Sequence, residues 1–547
     1  MTVIRPSAAR RIALLGAAVA SAAAAPLAAQ SQAAEWTRGA TCYEVFVRSF
    51  QDSDGDGVGD LNGLIQRLDY INDGDPDRQD DLGAQCIWLM PIAESPSYHG
   101  YDVVDYYAVD REYGTADDFK RLMAEAHRRG IHVLVDLVLN HSSSDHPWFQ
   151  EALRDPRSRY RSWYIFSPTH PGVRNPWGSD NWHATPDSSA YYFGLFWRGM
   201  PDLNVENPEV VAETRRIADF WINEMGVDGF RLDAIRHLVE GGRGAQVEHQ
   251  PGTHVFLRDW AAHVARVKPD AYTVGEVWDS IGAILPYYPD QLTSHFMFEL
   301  SDDILEAVNT GNASGLLGGY LRMQDTLPPH RWSPFLRNHD QSRTMTVLGG
   351  DARKARLASA LLLTLPGLPF VYYGEEIGIS GDKPDENLRT PMQWTSAPGG
   401  GFTTGTPWRA PQADWATRNV AAQSAESASL LTLHRRLIHL RARHPALAVG
   451  QLVPLTASHP AVAAFLRRDG DHAVLVVANL GAEPLNGVSL SSSAGAAPRS
   501  NGPGNNLFGG RAPAPLMVGA DGRIQDYVPF AMLGPMDVQV VELAPAR

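Results

Sequence analysis

Four segments end an apolar run on residues that can carry charge or exchange protons: DLVLNH (136–141), GFRLDA (229–234), VGEVWD (274–279) and FLRNHD (335–340). Asp233, Glu276 and Asp340 supply carboxyls, and His141, Arg231 and His339 stand beside them. A single such Asp reads as a helix N-cap. Three carboxyls on three separate runs, with basic groups adjacent, read as an acid–base site, because buried charge is costly unless paired or used. A second cluster, DSDGDGVGD (52–60), sets Asp52, Asp54, Asp56 and Asp60, with the carbonyl of Val58, around a tight glycine turn. Alternating hard oxygens suit Ca2+. The twelfth position is Gly63 and not a bidentate Glu, which rejects an EF-hand. A metal-free acidic turn is the alternative, in which four carboxylates repel one another with no cation between them.

These groups need a frame that brings distant chain segments together. From residue 41 to about 375, short β-rich runs alternate with helical patterns. The strand candidates are 42–47, 86–91, 132–138, 227–232, 272–277, 295–299, 333–338 and 369–373. Between them lie stretches such as TADDFKRLMAEAHRRG, with Asp117 and Asp118 early and Arg128, Arg129 and Gly130 at the end, an order that suits the helix dipole and a C-cap. Alternation of this kind predicts an α/β fold, a (β/α)8 TIM barrel with its active site at the C-terminal strand ends. The third strand is followed by a long insertion, residues 141–205, that holds five of the fourteen Trp. Most of these should form a small core of their own, with one or two lining a groove. After residue 450 short alternating runs with Gly- and Ser-rich spacers predict an antiparallel β-sandwich. The expected division is barrel 35–140 and 206–449, inserted domain 141–205 and C-terminal domain 450–547.

The chain of 547 residues carries 62 acidic and 47 basic residues, a net charge of −15, which argues against nucleic acid as a partner. Arg5, Arg10 and Arg11 precede an apolar run from Ile12 to Ala25 and small residues up to Ala34. That is the pattern of a signal peptide over 1–34, so the expectation is an exported protein, periplasmic or extracellular, with no membrane attachment after cleavage. The two cysteines, Cys42 and Cys86, open strand-like runs that could lie side by side. Two buried thiols are the plainer expectation and a disulfide the alternative.

Taken in order, DLVLNH, GFRLDAIRH, GEVWD and LRNHD resemble the motif series of the α-amylase superfamily of retaining glycoside hydrolases. The resemblance implies Asp233 as nucleophile, Glu276 as general acid/base and Asp340 as the carboxylate that stabilises the transition state. It further implies that His141 and His339 hydrogen-bond sugar hydroxyls. In SYHGYD (97–102), Tyr101 would stack on the sugar while His99 and Asp102 hold its hydroxyls. Arg231, two residues before Asp233, can hold the nucleophile's charge. The calcium loop resembles a structural site of the oligo-1,6-glucosidase branch, and a further calcium site by analogy would use Asn140 and the carbonyl of His237.

Branch signals are mixed. RTPMQW (389–394) resembles oligo-1,6-glucosidases and α-glucosidases, MPDLN (200–204) lies between their pattern and that of neopullulanases, and the insertion NDGDPDRQDDLG resembles the intermediate α-amylase group. Ala234, a small residue after the nucleophile, accompanies α-1,4 specificity in the glucosidase branch. The implied protein is a monomeric α-1,4-glucan hydrolase of the intermediate α-amylase type, open to transglycosylation. An exo-acting α-glucosidase is the main rival and a trehalose-forming isomerase the next. A non-catalytic glucan-binding relative would be expected to lack the three carboxylates.

Overall fold

The computed structural model describes residues 34–175, 177–327 and 331–544. The expected signal segment lies, apart from Ala34, outside the described residues. No helix among the described residues is long and apolar enough to cross a membrane.

Seven parallel strands form the barrel wall: β1 (Cys42–Val45), β2 (Cys86–Leu89), β3 (His132–Leu137), β4 (Gly229–Leu232), β5 (Tyr272–Gly275), β6 (Ser294–His295) and β7 (Phe370–Tyr372). Their order in the sheet is β6-β5-β4-β3-β2-β1-β7. The gap between β6 and β7 is filled by the run expected as a strand over 333–338. Ser333 bridges Phe296 in parallel, and the Leu368 and Phe370 amides donate to the carbonyls of Trp332 and Pro334 at 3.0 and 2.9 Å. The ring closes there without a regular eighth strand, because Pro334 has no N–H to continue the ladder. The run expected over 295–299 also changes character: it leaves the sheet after β6, and Phe298 opens the helix α4 (Phe298–Thr310).

Outer helices follow the expected pattern. α1 (Ala116–Arg128) is started by a reciprocal capping box between Thr115 and Asp118 and buries Phe119, Leu122, Met123 and Ala126. α2 (Pro208–Asn223) and α3 (Pro251–Val267) both carry Pro in the first turn, where its missing N–H costs nothing. α5 (Ala352–Thr364) and α6 (Leu430–Arg443) cover the closing side of the ring.

Strand period sorts the barrel interior into two layers. One is apolar, with Cys42, Cys86, Leu134, Tyr272, Val274 and Phe370 in a single cluster with Trp88, Phe296 and Phe335. Two residues further along the same strands come Glu44 and Asp136, with Arg231 on β4, so the interior turns polar toward the C-terminal ends. Cys42 and Cys86 are register partners on β1 and β2 and are joined as a disulfide, which corrects the expectation of two thiols.

Within the insertion, Trp163 and Trp182 are buried, whereas Trp177 and Trp197 stay about half exposed (51 % and 50 %). Trp182 belongs to a three-stranded sheet of Phe166–Ser167, Tyr191–Phe193 and Trp182–Ala184, and Trp163 to a short 3-10 turn, Arg159–Trp163. The C-terminal sheet comprises β8 (Gln451–Pro454), β9 (Val462–Asp469), β10 (His472–Asn479), β11 (Asn505–Phe508) and β12 (Asp537–Glu542), in the order β8-β9-β10-β12-β11. Alternation along β9 sends Ala463 and Phe465 into the main core, and Val462, Ala464 and Leu466 into a second core under the hairpins of residues 485–533.

Candidate active site

The polar layer opens into a cavity of about 390 Å3 at the C-terminal strand ends. Asp233, Glu276 and Asp340 all line it, after β4, after β5 and after the closing run 333–336. One guanidinium ties two of them together: Arg231 Nη1 donates to Asp233 Oδ1 at 2.6 Å and Nη2 to Glu276 Oε2 at 2.7 Å. Nη1 also reaches both oxygens of Asp136, at 2.9 and 3.0 Å. Arg231 is fully buried, so three carboxyls surround one buried cation.

That imbalance sets the protonation of the group. Burial pushes Asp136 up to about 7 despite Arg231. Burial also raises Glu276, with Arg231 opposing and the charges of Asp233 and Asp340 adding. Asp340 goes the other way: burial would raise it, but His339 and Arg389 outweigh that and hold it well below the usual carboxylate range. Arg389 Nη2 donates to Asp340 Oδ1 at 2.8 Å, and His339 Nε2 lies 3.3 Å from Oδ2. His339 itself is pushed up to about 9: burial disfavours its charge, but Asp340 on one side and Glu44 on the other favour it. The Glu44 carboxylate accepts from His339 Nδ1 at 2.5 Å. The site therefore holds two carboxyls, Asp136 and Glu276, biased toward the acid form and one, Asp340, biased toward its anion.

A strained residue completes the arrangement. Ala234, next to Asp233, has φ 47° and ψ 35°, the left-handed region that non-glycine residues rarely adopt. This conformation aims its N–H at Glu276 Oε2, at 3.0 Å. Strain of this kind costs about 1–3 kcal/mol and persists where the surroundings enforce it. Among the described residues, both hydrogen bonds to Glu276 fall on Oε2.

The other sequence-derived residues divide into two groups. His99, Tyr101 and His141 line the cavity. His99 is held by Ser97 Oγ at 3.0 Å on a turn where Gly100 (φ 80°) passes close to Pro91, which a Cβ would approach to 2.9 Å. Burial lowers His141 to about 4, so it is neutral, and its Nε2 lies 3.2 Å from the Tyr101 carbonyl. Asp102, Arg231 and His339 lie behind that lining. Asp102 accepts from Ser95 Oγ at 2.9 Å and from Ser97 Oγ, bracing the turn. His339 is engaged by Tyr101 Oη at 2.6 Å as well as by Glu44 and Asp340.

The sequence alone does not single out Glu44, Asp136, Arg389, Phe196 and Trp278 as site residues. Trp278, 43 % exposed, joins Trp177, Phe196 and Trp197 in an apolar flank of the cavity. Its signal was the Trp of GEVWD, and that of Asp136 was the first letter of DLVLNH.

At the acidic loop, carboxylate oxygens of Asp52, Asp54 and Asp60 converge within 4.8 Å of one another. Asp60 caps the following helix through Gly63 N, and Asp52 is steadied by the Gly55 and Gly57 amides. This all-oxygen set fits a hard divalent cation. Asp56 is not among these three; its Oδ1 accepts from the Val58 amide at 2.7 Å, as Asp54 Oδ1 accepts from the Asp56 amide at 3.1 Å. The two groups of the further calcium site do lie together, Asn140 Nδ2 donating to the His237 carbonyl at 2.7 Å.

Comparison with known proteins agrees with this geometry. The family model "Alpha amylase, catalytic domain" matches residues 44–450. The chain is 40 % identical over 453 residues to "Alpha-amylase 3" of Dictyoglomus thermophilum, covering 81 % of this chain and 85 % of that one. It is 36 % identical over 509 residues to the trehalose synthase/amylase of Mycobacterium tuberculosis, covering 82 % of each. Among solved structures, the α-amylase from H. orenii superposes with a TM-score of 0.79 at 37 % identity, over 92 % of this chain and 99 % of that one.

Proposed function

The chain belongs to the α-amylase family of glycoside hydrolases, and from that premise we propose that it is a retaining hydrolase of α-1,4-glucans. The observation that carries this reading is the single guanidinium of Arg231 gripping Asp233 and Glu276 together at the cavity wall. Such a clamp suits close-set carboxyls, which retaining glycosidases hold about 5–5.5 Å apart. In the proposed reaction Asp233 attacks the anomeric carbon while Glu276 protonates the departing oxygen. Glu276, now an anion, then takes a proton from the water that releases the sugar from Asp233. The bias of Glu276 toward its acid form and of Asp340 toward its anion supports this division of labour. Asp340 faces the positive charge that develops on the sugar ring, and Arg389 and His339 keep it placed.

Tyr101, His99 and His141 would bind the sugar at the point of cleavage, with Asp102, Arg231 and His339 bracing them from behind. Trp177, Trp197 and Trp278 offer apolar faces to the neighbouring units. The α-amylase relative supports starch-type substrates. The trehalose synthase/amylase relative keeps a second reading open, isomerisation of maltose. Incubation with maltoheptaose and with maltose separates them. Mixed mid-length products at early times support endo hydrolysis; glucose alone from the start overturns it in favour of an exo-glucosidase; trehalose from maltose indicates the isomerase.

The Asp52, Asp54 and Asp60 cluster supports a structural Ca2+. EDTA should lower the melting temperature, Ca2+ should restore it, and Asp52→Asn should abolish the difference; an unchanged melting temperature rules out a stabilising metal. The Arg-led apolar N-terminus supports export by way of a cleaved signal, and N-terminal sequencing of the secreted protein tests it. A monomer is proposed, to be tested by light scattering.

A further inference from the structure

At the opposite, N-terminal end of the barrel, Arg441 of the barrel and Arg467 of the C-terminal domain converge on the end of α5. Arg441, near the end of α6, and Arg467, on β9, are 0 % and 1 % exposed. Among the described residues, all their hydrogen-bond acceptors are backbone carbonyls. Arg441 donates to Leu363 (3.1 Å), Leu365 (2.8 Å) and Gly367. Arg467 donates from Nε and Nη2 to Gly450 (3.0 and 2.9 Å) and from Nη1 to Thr364 (2.6 Å). Carbonyls 363 and 364 end α5, so both cations sit at the negative pole of one helix. A helix end offers about half an elementary charge. Two full positive charges are buried against it, an excess that a protein interior does not leave without a counter-charge.

A cavity of about 60 Å3 adjoins Arg467 and is bounded as well by Trp332, Gln324, Gly367 and Gly450. Trp332 is 2 % exposed and its indole N–H has no partner among the described residues. Gly367 (φ 106°) leaves that N–H uncovered: a Cβ there would come within 2.7 Å of Nε1. Gln324 carries no charge, and its amide is already paired at both ends with the Leu452 backbone (3.0 and 2.5 Å). Arg441 Nε and Tyr320 Oη are further buried donors without partners among the described residues. At the cavity itself the Arg467 charge and the unpartnered Trp332 N–H border a space about the size of two waters.

We propose that this cavity binds one small monovalent inorganic anion of chloride size, held between the Arg467 guanidinium and the Trp332 indole N–H. The ion would neutralise part of the buried charge and tie β9 to the base of the barrel. Its effect is on the union of the two domains, away from the catalytic end.

The test uses the full-length mature protein. Thermal unfolding is followed at constant ionic strength while sodium gluconate is replaced by sodium chloride. A saturable rise in melting temperature of about 1–3 °C is expected, the scale set by a ligand near ten times its dissociation constant. Trp332→Phe keeps an aromatic ring, though a smaller one, and removes the N–H, so it should lose the saturable part and retain the general salt response. Crystals grown in sodium bromide should show an anomalous peak beside Trp332 Nε1. Equal melting temperatures in chloride and gluconate, or bromide crystals with no peak in the cavity, would overturn the proposal, and the bromide experiment needs no variant to fold.

Discussion

Replacing Glu276 by Gln isolates the proton from everything else this side chain does. The hydrogen bonds it receives from Arg231 Nη2 at 2.7 Å and the Ala234 amide at 3.0 Å both end on Oε2. A glutamine oxygen can accept both, so the shape of the site should survive. What is lost is the proton for the leaving oxygen, worth about 10²–10⁴ in rate, or roughly 2.7–5.4 kcal/mol of barrier at 1.36 kcal/mol per decade. The assay compares maltoheptaose with α-maltosyl fluoride, whose fluoride departs without protonation. Glu276→Gln should lose about 10²–10⁴ on maltoheptaose and less than roughly tenfold in the glycosylation step on the fluoride. Azide, which needs no general base, should accelerate release of the trapped sugar. The alkaline limb of the wild-type pH profile should flatten as well. Glu276 works protonated and its pKa is raised, chiefly by burial, so activity is lost as pH climbs through that raised value. Equal losses on both substrates would refute the assignment of Glu276 as the acid.

Two further expectations rest on particular geometry. Ala234→Val puts a β-branched residue at φ 47° and adds to the strain already present with Ala; it should depress turnover of maltoheptaose at least tenfold, while Ala234→Gly keeps activity within a few fold. For acid stability, burial lowers His141 and His434 to about 4 and His146, His237 and His295 to about 3. A histidine with a depressed folded pKa stabilises above its unfolded value near 6.5 and loses that stability as pH falls, by about 1.4 kcal/mol per unit for each such group. His127, raised by its hydrogen bond to Asp228, acts oppositely: its contribution is present below about 6.5 and fades as pH rises through its raised value. Urea unfolding midpoints should therefore fall steeply between about pH 6 and 4, and a flat midpoint over that range contradicts the neutral, buried assignment.

The legible parts of this protein were those with a strong local signature. Strand ends that stop on DLVLNH, GFRLDA and VGEVWD announced their carboxyls, because a charge that closes an apolar run is costly to bury unless it is paired or put to use. Glu44 was hidden by the reverse situation. It is a lone acid inside CYEV, and only the closed ring reveals that the face shared with Cys42 looks inward at His339. Arg389 meets Asp340 across 49 residues of chain, a pairing that no spacing rule could supply. Pro334 was visible in the run read as the seventh strand, and its missing N–H is why that run closes the ring as a bridge. The disulfide needed the register of β1 on β2, which places Cys42 opposite Cys86. In the acidic loop, composition indicated four carboxylates, and the fold shows three of them, Asp52, Asp54 and Asp60, converging.

Asp233 as the nucleophile of a covalent intermediate is the step on which every other role in the site depends. Incubation with 5-fluoro-α-glucosyl fluoride, which slows release of the bound sugar, followed by proteolysis and mass spectrometry of the labelled peptide, tests this directly. The expected result is one fluoroglucosyl unit on the peptide containing Asp233, with no labelling in Asp233→Asn. Labelling of a different carboxylate, or hydrolysis of maltoheptaose with inversion at the anomeric carbon, would contradict it.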